Sequence, residues 1–190
     1  QIASRILVRV FSCSVPPSMA PPMWAPWRIE YIVGPKNHDA CIFCTYANGT
    51  EQTFREHLTL VSTPTCFVTL NRYPFASGHL MVMPKRHVAH LTDLPPDEYD
   101  DLFRLVRETS TRLKDAVRAE GLNVGINLGA SAGAGIAEHL HVHVVPRWSG
   151  DTNFMPVLAD VRVMPQYLDD TWAHLYPFFL DIPGVRAKPL

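Results

Sequence analysis

The stretch EHLHVHVVPRW, residues 138–148, sets His139, His141 and His143 at every second position, with Leu140, Val142 and Val144 between them. Alternation with apolar residues reads as a half-buried strand, on which side chains at i, i+2 and i+4 share one face roughly 6.8 Å apart. Three of the nine histidines therefore look in a common direction, a pattern that fits one anionic substrate or a metal. A neutral imidazole is a good nucleophile toward phosphorus and splits one phosphoryl displacement into two. A neighbouring imidazole can donate a hydrogen bond or proton to the leaving oxygens. GASAGAG, residues 129–135, lies immediately before the strand. Its glycines permit positive φ and close approach of a ligand, so backbone N–H groups there can cradle phosphate. A second constellation is Cys41-Ile-Phe-Cys44, the C-x₂-C spacing that zinc sites use, which needs two further ligands. Cys13 and Cys66 have no comparable partners and read as a tail thiol and a core residue.

These residues need elements to hold them. CFVTLN (66–71) and GHLMVMP (78–84) are apolar runs joined by RYPFAS, whose Pro74 and Ser77 mark a turn, and they are expected to be antiparallel neighbours. Pro96 begins the strongest helix signal, with Asp97 and Glu98 complementing the dipole and Gly121 as the expected stop. Leu102, Leu105, Val106, Thr109, Leu113 and Val117 recur at helical spacing, giving one face to bury on a sheet. LNVGINLG (122–129) is a further strand candidate. ANGTEQTFREH reads as a loop or short irregular segment, and WAHLYPFF as a short helix capping the core. The predicted fold is α+β: an antiparallel sheet, one long helix packed across it, and a C-terminal helical and aromatic cap.

Bulk properties narrow the classes of function. At 190 residues the chain fits one domain with a sizeable core. A formal net charge of -1 builds in no attraction to nucleic acid, and no apolar run approaches the ~20 residues that span a bilayer. Four cysteines are too few for a disulfide scaffold, and a close thiol pair suits a reducing compartment, so cytoplasm is expected. Residues 1–22 contain two arginines, no acid and a Pro-rich end. They read as a disordered arm, upstream or non-native sequence, or a presequence. Residues 23–190 are expected to form the single domain, with Trp24, Trp27 and Tyr31 anchoring the arm against the core or a second subunit.

HLHVHVV matches His-φ-His-φ-His-φ-φ, with φ apolar, and on that motif the chain resembles the histidine-triad family. TLNRYPFASGHLMVMPKRH is similar to that family's N-terminal strand pair, and GINLG to the strand before its phosphate loop. The resemblance covers roughly residues 24–170. CIFC, PKRH, VPRW and GDTNFM look most like the bacterial branch that includes diadenosine tetraphosphate phosphorylases. It implies a half-barrel nucleotide-binding fold in which His141 attacks the α-phosphorus and becomes adenylylated. His143 would hold a phosphate oxygen or the bridging oxygen of the leaving group. Asn71 would bond the ribose hydroxyls, and Asn127 would contact phosphate or order the nucleophile. The backbone from Ser131 through Gly133 to Gly135 would line the phosphates. Arg147 and Trp148 follow the triad closely enough to touch the polyphosphate or a base, with packing as the other reading of Trp148. In zinc-bearing relatives, positions matching His87 and His139 join the cysteine pair, giving a structural Cys41, Cys44, His87 and His139 set with His90 as the local rival to His87. No organic cofactor is implied.

The family's Gln followed by Ser or Thr ahead of the first histidine is replaced here by Ala134, Gly135 and Ile136. Ser131, backbone amides or another segment would supply the phosphate contacts instead. Three readings of function follow. The first is phosphorolysis of diadenosine tetraphosphate to ATP and ADP through an AMP–histidine intermediate. The second is hydrolysis of dinucleoside polyphosphates or nucleoside phosphoramidates. The third, kept open by the missing polar pair, is a purine-nucleotide sensor or scaffold with little turnover. A catalytic metal on the triad itself would leave the Gly-rich loop and Asn127 without a purpose. Expected partners are a purine nucleotide or dinucleoside polyphosphate, phosphate, and a second copy of the chain in a homodimer or homotetramer, with no nucleic acid and no membrane.

Overall fold

The computed structural model describes residues 41–151 and 166–182, all within one unit of the chain. Five strands form one open sheet: β1 Thr59–Ser62, β2 Cys66–Leu70, β3 Leu80–Pro84, β4 Gly121–Ile126 and β5 Val142–Arg147. Their order is β1-β2-β3-β5-β4 and every neighbouring pair is antiparallel. The expected pairing of the two apolar runs is found, from Cys66 opposite Pro84 to Leu70 opposite Leu80.

Side-chain alternation divides this sheet between two cores. Val68, Leu70, Leu80, Val82, Val142 and Val144 point to one side and pack with Leu102, Leu105, Val106 and Leu113. Phe67, Met81 and Met83 point to the other, where they meet Phe43, Tyr46 and Ala47. Both β2 and β3 are buried along their whole length, which explains why they read as unbroken apolar runs.

The first layer is supplied by the long helix. With α1 as Ile42–Ala47 and α2 as Phe54–His57, this helix is α3, Pro96–Val117. Pro96 occupies its first turn beside Asp97 and Glu98, as the sequence predicts. Its end differs from expectation. Arg118 takes the left-handed conformation at φ 49°, and Gly121 already opens β4. A non-glycine residue there costs roughly 1–2 kcal/mol, but the tight reversal lets β4 start at once, pairing Gly121 with Arg147. Ala116 rather than Val117 completes the buried face, and Val117 packs partly buried at its edge.

ANGTEQTFREH is not irregular: it holds a 3₁₀ turn, Glu51–Thr53, followed by α2. Strand β1, which lacks a clean alternation in sequence, pairs with β2 through an irregular register between Thr59 and Val61. The aromatic tail forms α4, Leu168–Leu175, and a 3₁₀ turn, Tyr176–Phe179. Leu175 and Phe179 are fully buried against the helix-side core, so the cap is in place. Trp172 donates its indole N–H to the Thr59 carbonyl at 2.7 Å, tying that cap to β1. Among the described residues no helix is long and apolar enough to cross a membrane. The arm at residues 1–22 and the anchors Trp24, Trp27 and Tyr31 lie outside the described residues.

Candidate active site and metal-ligand cluster

The histidines converge on the sheet face opposite α3. Only His143 lies within β5; His141 immediately precedes the strand and His139 sits in a bend two residues earlier, so the regular strand is shorter than the alternating pattern. The alternation itself persists, because Leu140, Val142 and Val144 are buried on the helix side. His139 and His141 are buried and His143 is half-buried. Short helix α1 covers part of this face and sets Phe43 edge-on to His139 at 5.5 Å and against His141 at 5.4 Å.

The tautomers follow from fixed partners, since a carbonyl oxygen can only accept. His139 places Nε2 2.9 Å from the Pro84 carbonyl, so that nitrogen carries the proton and Nδ1 has a lone pair. His141 places Nδ1 2.8 Å from the His139 carbonyl, so its Nδ1 is the donor, which in the neutral ring puts the lone pair on Nε2. An imidazole with its lone pair on Nε2 has the form that attack on phosphorus requires. His141 and His143 meet edge to face at 4.9 Å. Burial, then the nearby His141, pushes the His143 pKa down to about 4, leaving it neutral at physiological pH.

His139 faces the other way chemically. Its Nδ1 lies 3.4 Å from Cys41 Sγ and 3.6 Å from Cys44 Sγ, while His87 Nδ1 lies 3.3 Å from Cys44 Sγ. These four ligand atoms all fall within 4.8 Å of one another. A tetrahedral site with Zn–S of about 2.3 Å and Zn–N of about 2.0–2.1 Å has S···N edges of roughly 3.6 Å, so the set is already at ligand spacing. Burial, then the charge of Cys41, pushes the Cys44 thiol up; the two sulfurs cannot both ionise cheaply without a cation between them. The Pro84 carbonyl on His139 Nε2 is the outer hydrogen bond that orients a metal-bound imidazole. These residues form a Cys₂His₂ set that could hold a metal ion, and His87, not its rival His90, belongs to it.

Further predicted residues gather around the triad. Asn71 accepts the Tyr73 N–H on Oδ1 at 2.9 Å, which fixes its amide orientation, and its Nδ2 lies 3.3 Å from His79 Nδ1. Asn127 follows Ile126, whose partner Val142 follows His141, so it stands one step beyond the ladder at the level of His141. In the loop, Gly129 and Gly133 take φ of 83° and 89°, which glycine adopts without strain. The N–H groups of Ala132, Gly133 and Ala134 bond to the carbonyls of Gly129 and Ala130. Within Ser131–Gly135 the N–H groups of Ser131 and Gly135 are the ones without such a bond among the described residues.

Arg147 and Trp148 are not brought to this site. Arg147 lies four residues along β5 from His143, about 14 Å at strand rise. Its guanidinium is held by Asp151 at 2.6 and 2.8 Å and by Asn123 at 3.0 Å. Trp148 gives its indole N–H to the Arg118 carbonyl at 3.2 Å and lines a separate hollow with Asp115, His174 and Phe178. Adjacency in sequence is not proximity here because an extended strand carries each residue away from the last. Sequence reasoning also missed two residues that touch the triad. One is Phe43, hidden between the two cysteines. The other is His79, fully buried at the head of β3, with Nε2 3.0 Å from His143 Nδ1. A lone polar residue opening an apolar run was the available signal for His79.

A model of the HIT domain matches residues 55–150. An AP-4-A phosphorylase from Mycobacterium tuberculosis is 38% identical over 154 residues, covering 78% of this chain and 79% of that protein. An asymmetrical bis(5'-nucleosyl)-tetraphosphatase from Schizosaccharomyces pombe is 39% identical over 82 residues, covering 43% of this chain and 44% of its own length. A zinc-bound histidine triad family protein from Mycobacterium smegmatis shares the fold at a TM-score of 0.58 with 25% identity, covering 74% of this chain and 93% of that one. An open antiparallel sheet with a long helix across one face and three alternating histidines on the other is the architecture of that group. The chain belongs to the histidine-triad (HIT) family and resembles its AP-4-A phosphorylases.

Proposed function

We propose that this protein is a nucleotidyl transferase that cleaves diadenosine tetraphosphate by phosphorolysis. His141 Nε2 forms a bond to the α-phosphorus while the bond to the bridging oxygen breaks, and ATP departs with that electron pair. Inorganic phosphate then attacks the AMP–His141 adduct, giving ADP and restoring the imidazole. The single observation carrying this reading is the 2.8 Å hydrogen bond from His141 Nδ1–H to the His139 carbonyl, which holds the lone pair on Nε2. His143 donates to the leaving oxygen, Asn71 bonds the ribose, and Asn127 with the Ser131 and Gly135 amides contacts phosphate.

Zinc is proposed at Cys41, Cys44, His87 and His139, supported by the ligand spacing and by the zinc-bound structural relative. With four protein ligands it would be structural. It would supply the charge that keeps both cysteines as thiolates and would fix the chain's entry to the triad. A homodimer or homotetramer is proposed on the family resemblance; β4 is an outer strand with Val124 49% exposed, an edge that pairing would cover. Residues 23–190 are proposed as the single domain and the cytoplasm as its compartment, on the thiol pair.

Water as the second acceptor is the other reading, supported by the likeness to the yeast tetraphosphatase. Incubation with diadenosine tetraphosphate, with and without phosphate, separates them by product chromatography. ATP plus ADP, formed only with phosphate, is expected. ATP plus AMP without phosphate would assign hydrolysis, and unchanged substrate with measurable binding would assign a sensor.

A further inference from the structure

We infer that His79 is a positioning residue: it holds His143 in the tautomer whose Nε2–H can donate to the leaving group. The inference rests on the adenylyl-transfer reading for its catalytic meaning, and on the resting geometry for the tautomer.

The donors that reach His79 have directions that are not open to choice. The backbone N–H of Phe75 points at His79 Nδ1 at 3.1 Å, and a peptide N–H can only donate. The amide of Asn71, oriented by the Tyr73 N–H on its Oδ1, presents Nδ2 to the same nitrogen. His79 Nδ1 is therefore an acceptor, which excludes both the Nδ1–H tautomer and the imidazolium. The proton of His79 sits on Nε2, and that Nε2 faces His143 Nδ1 at 3.0 Å. His143 Nδ1 must accept, so His143 carries its own proton on Nε2. The chain of direction runs from the β2–β3 turn, through one fully buried ring, to the third histidine of the triad.

Burial, the turn and the strand pairing agree with it. His79 is 1% exposed, and burying an imidazole without using its polar atoms is costly; both of its nitrogens are used. Gly78, at φ 79°, makes the turn that swings residue 79 inward, and the Asn71 N–H closes that turn on the His79 carbonyl at 2.9 Å. His143 pairs with Met81 across the ladder, so the two imidazoles arrive from neighbouring strands with little freedom to turn. Without His79, His143 could carry its proton on either nitrogen, and on Nδ1 it would offer the departing oxygen a lone pair. No proton has to be transferred, because a polyphosphate leaves as a stable anion; the hydrogen bond alone lowers the charge developing on the bridging oxygen.

The test uses the full chain labelled with ¹⁵N-histidine, without substrate, with His143 assigned by its loss in His143→Asn. Long-range proton–nitrogen correlation at neutral pH is expected to show Nδ1 unprotonated and Nε2 protonated. His79→Leu should lose that preference. His79→Gln, whose side-chain amide can donate to the same Nδ1, should keep it, and it stands in if the leucine variant fails to fold. In turnover, His79→Leu should lower kcat roughly 10-fold to 10²-fold with KM nearly unchanged, short of the ~10²–10³ that outright loss of a donor costs. The loss should shrink on an AMP ester with a stabilised phenolate leaving group, which needs less help. A resting His143 protonated on Nδ1, or an unchanged tautomer and unchanged leaving-group dependence in His79→Leu, would overturn the inference. If the tautomer is as stated but no adduct forms on His141, the adenylyl-transfer reading fails and takes the catalytic half of the inference with it.

Discussion

His141 gives its Nδ1 proton to the backbone carbonyl of His139 at 2.8 Å, while the side chain of His139 turns its own Nδ1 toward Cys41 and Cys44. One residue thus serves two sites, its backbone holding the proposed nucleophile and its imidazole joining the metal-ligand set. Phe43, between the two cysteines, packs on both rings. The candidate metal-ligand set and the proposed nucleophile therefore share His139 and the Phe43 ring.

Loss of the metal ligands should reach the chemistry. Helix α1 has six residues, no side-chain cap and no acid in its first turn, and a helix so short is not stable by itself. Cys41→Ser combined with Cys44→Ser is expected to abolish stoichiometric zinc in elemental analysis and to lower kcat while nucleotide binding survives. Zinc retained in full by that variant would place the ion elsewhere, the triad included.

His141→Ala should still bind nucleotide and lose turnover by about three orders of magnitude or more, as removal of a covalent nucleophile does. Calorimetry gives the first quantity and product release the second. Turnover within tenfold of the parent would remove His141 from that role.

Acid should destabilise the fold through His143. Its pKa is lowered to about 4 in the folded chain by burial and by His141, against about 6.5 unfolded. Below 6.5 the unfolded chain takes up a proton that the folded chain refuses, so stability falls as pH drops from about 6.5 toward 4, then levels. Denaturant midpoints across this range, compared with His143→Gln, should show a shallower slope in the variant; parallel slopes would contradict the assignment.

Arg147→Ala is expected to leave kcat and KM within about twofold, since its partners Asp151 and Asn123 are at the far end of β5. The bidentate pair is solvent-exposed, and its loss should move the unfolding midpoint only slightly. A tenfold rise in KM would return Arg147 to the substrate.

The helix-side architecture was legible because α3 writes its period plainly, from Pro96 to Leu113, and because β2 and β3 are buried on both faces and almost wholly apolar. What escaped depends on pairing across the chain. Arg118 can end α3 because β4 must begin at once, which no local pattern shows. His79 gains its meaning from lying beside His143, 64 positions away, and the same strand geometry carries Arg147 to Asp151 and Asn123, away from the triad. The triad and the C-x₂-C pair were readable because their chemistry is local; their join at His139 was expected through the family resemblance alone, since no local pattern brings residues 41 and 139 together.

Chemical quench during turnover, followed by mass spectrometry under alkaline conditions that preserve phosphoramidates, addresses the central claim directly. The account predicts an AMP adduct on the peptide carrying His141, absent from His141→Ala and discharged by added phosphate. Turnover with that peptide unmodified at every time point would contradict it.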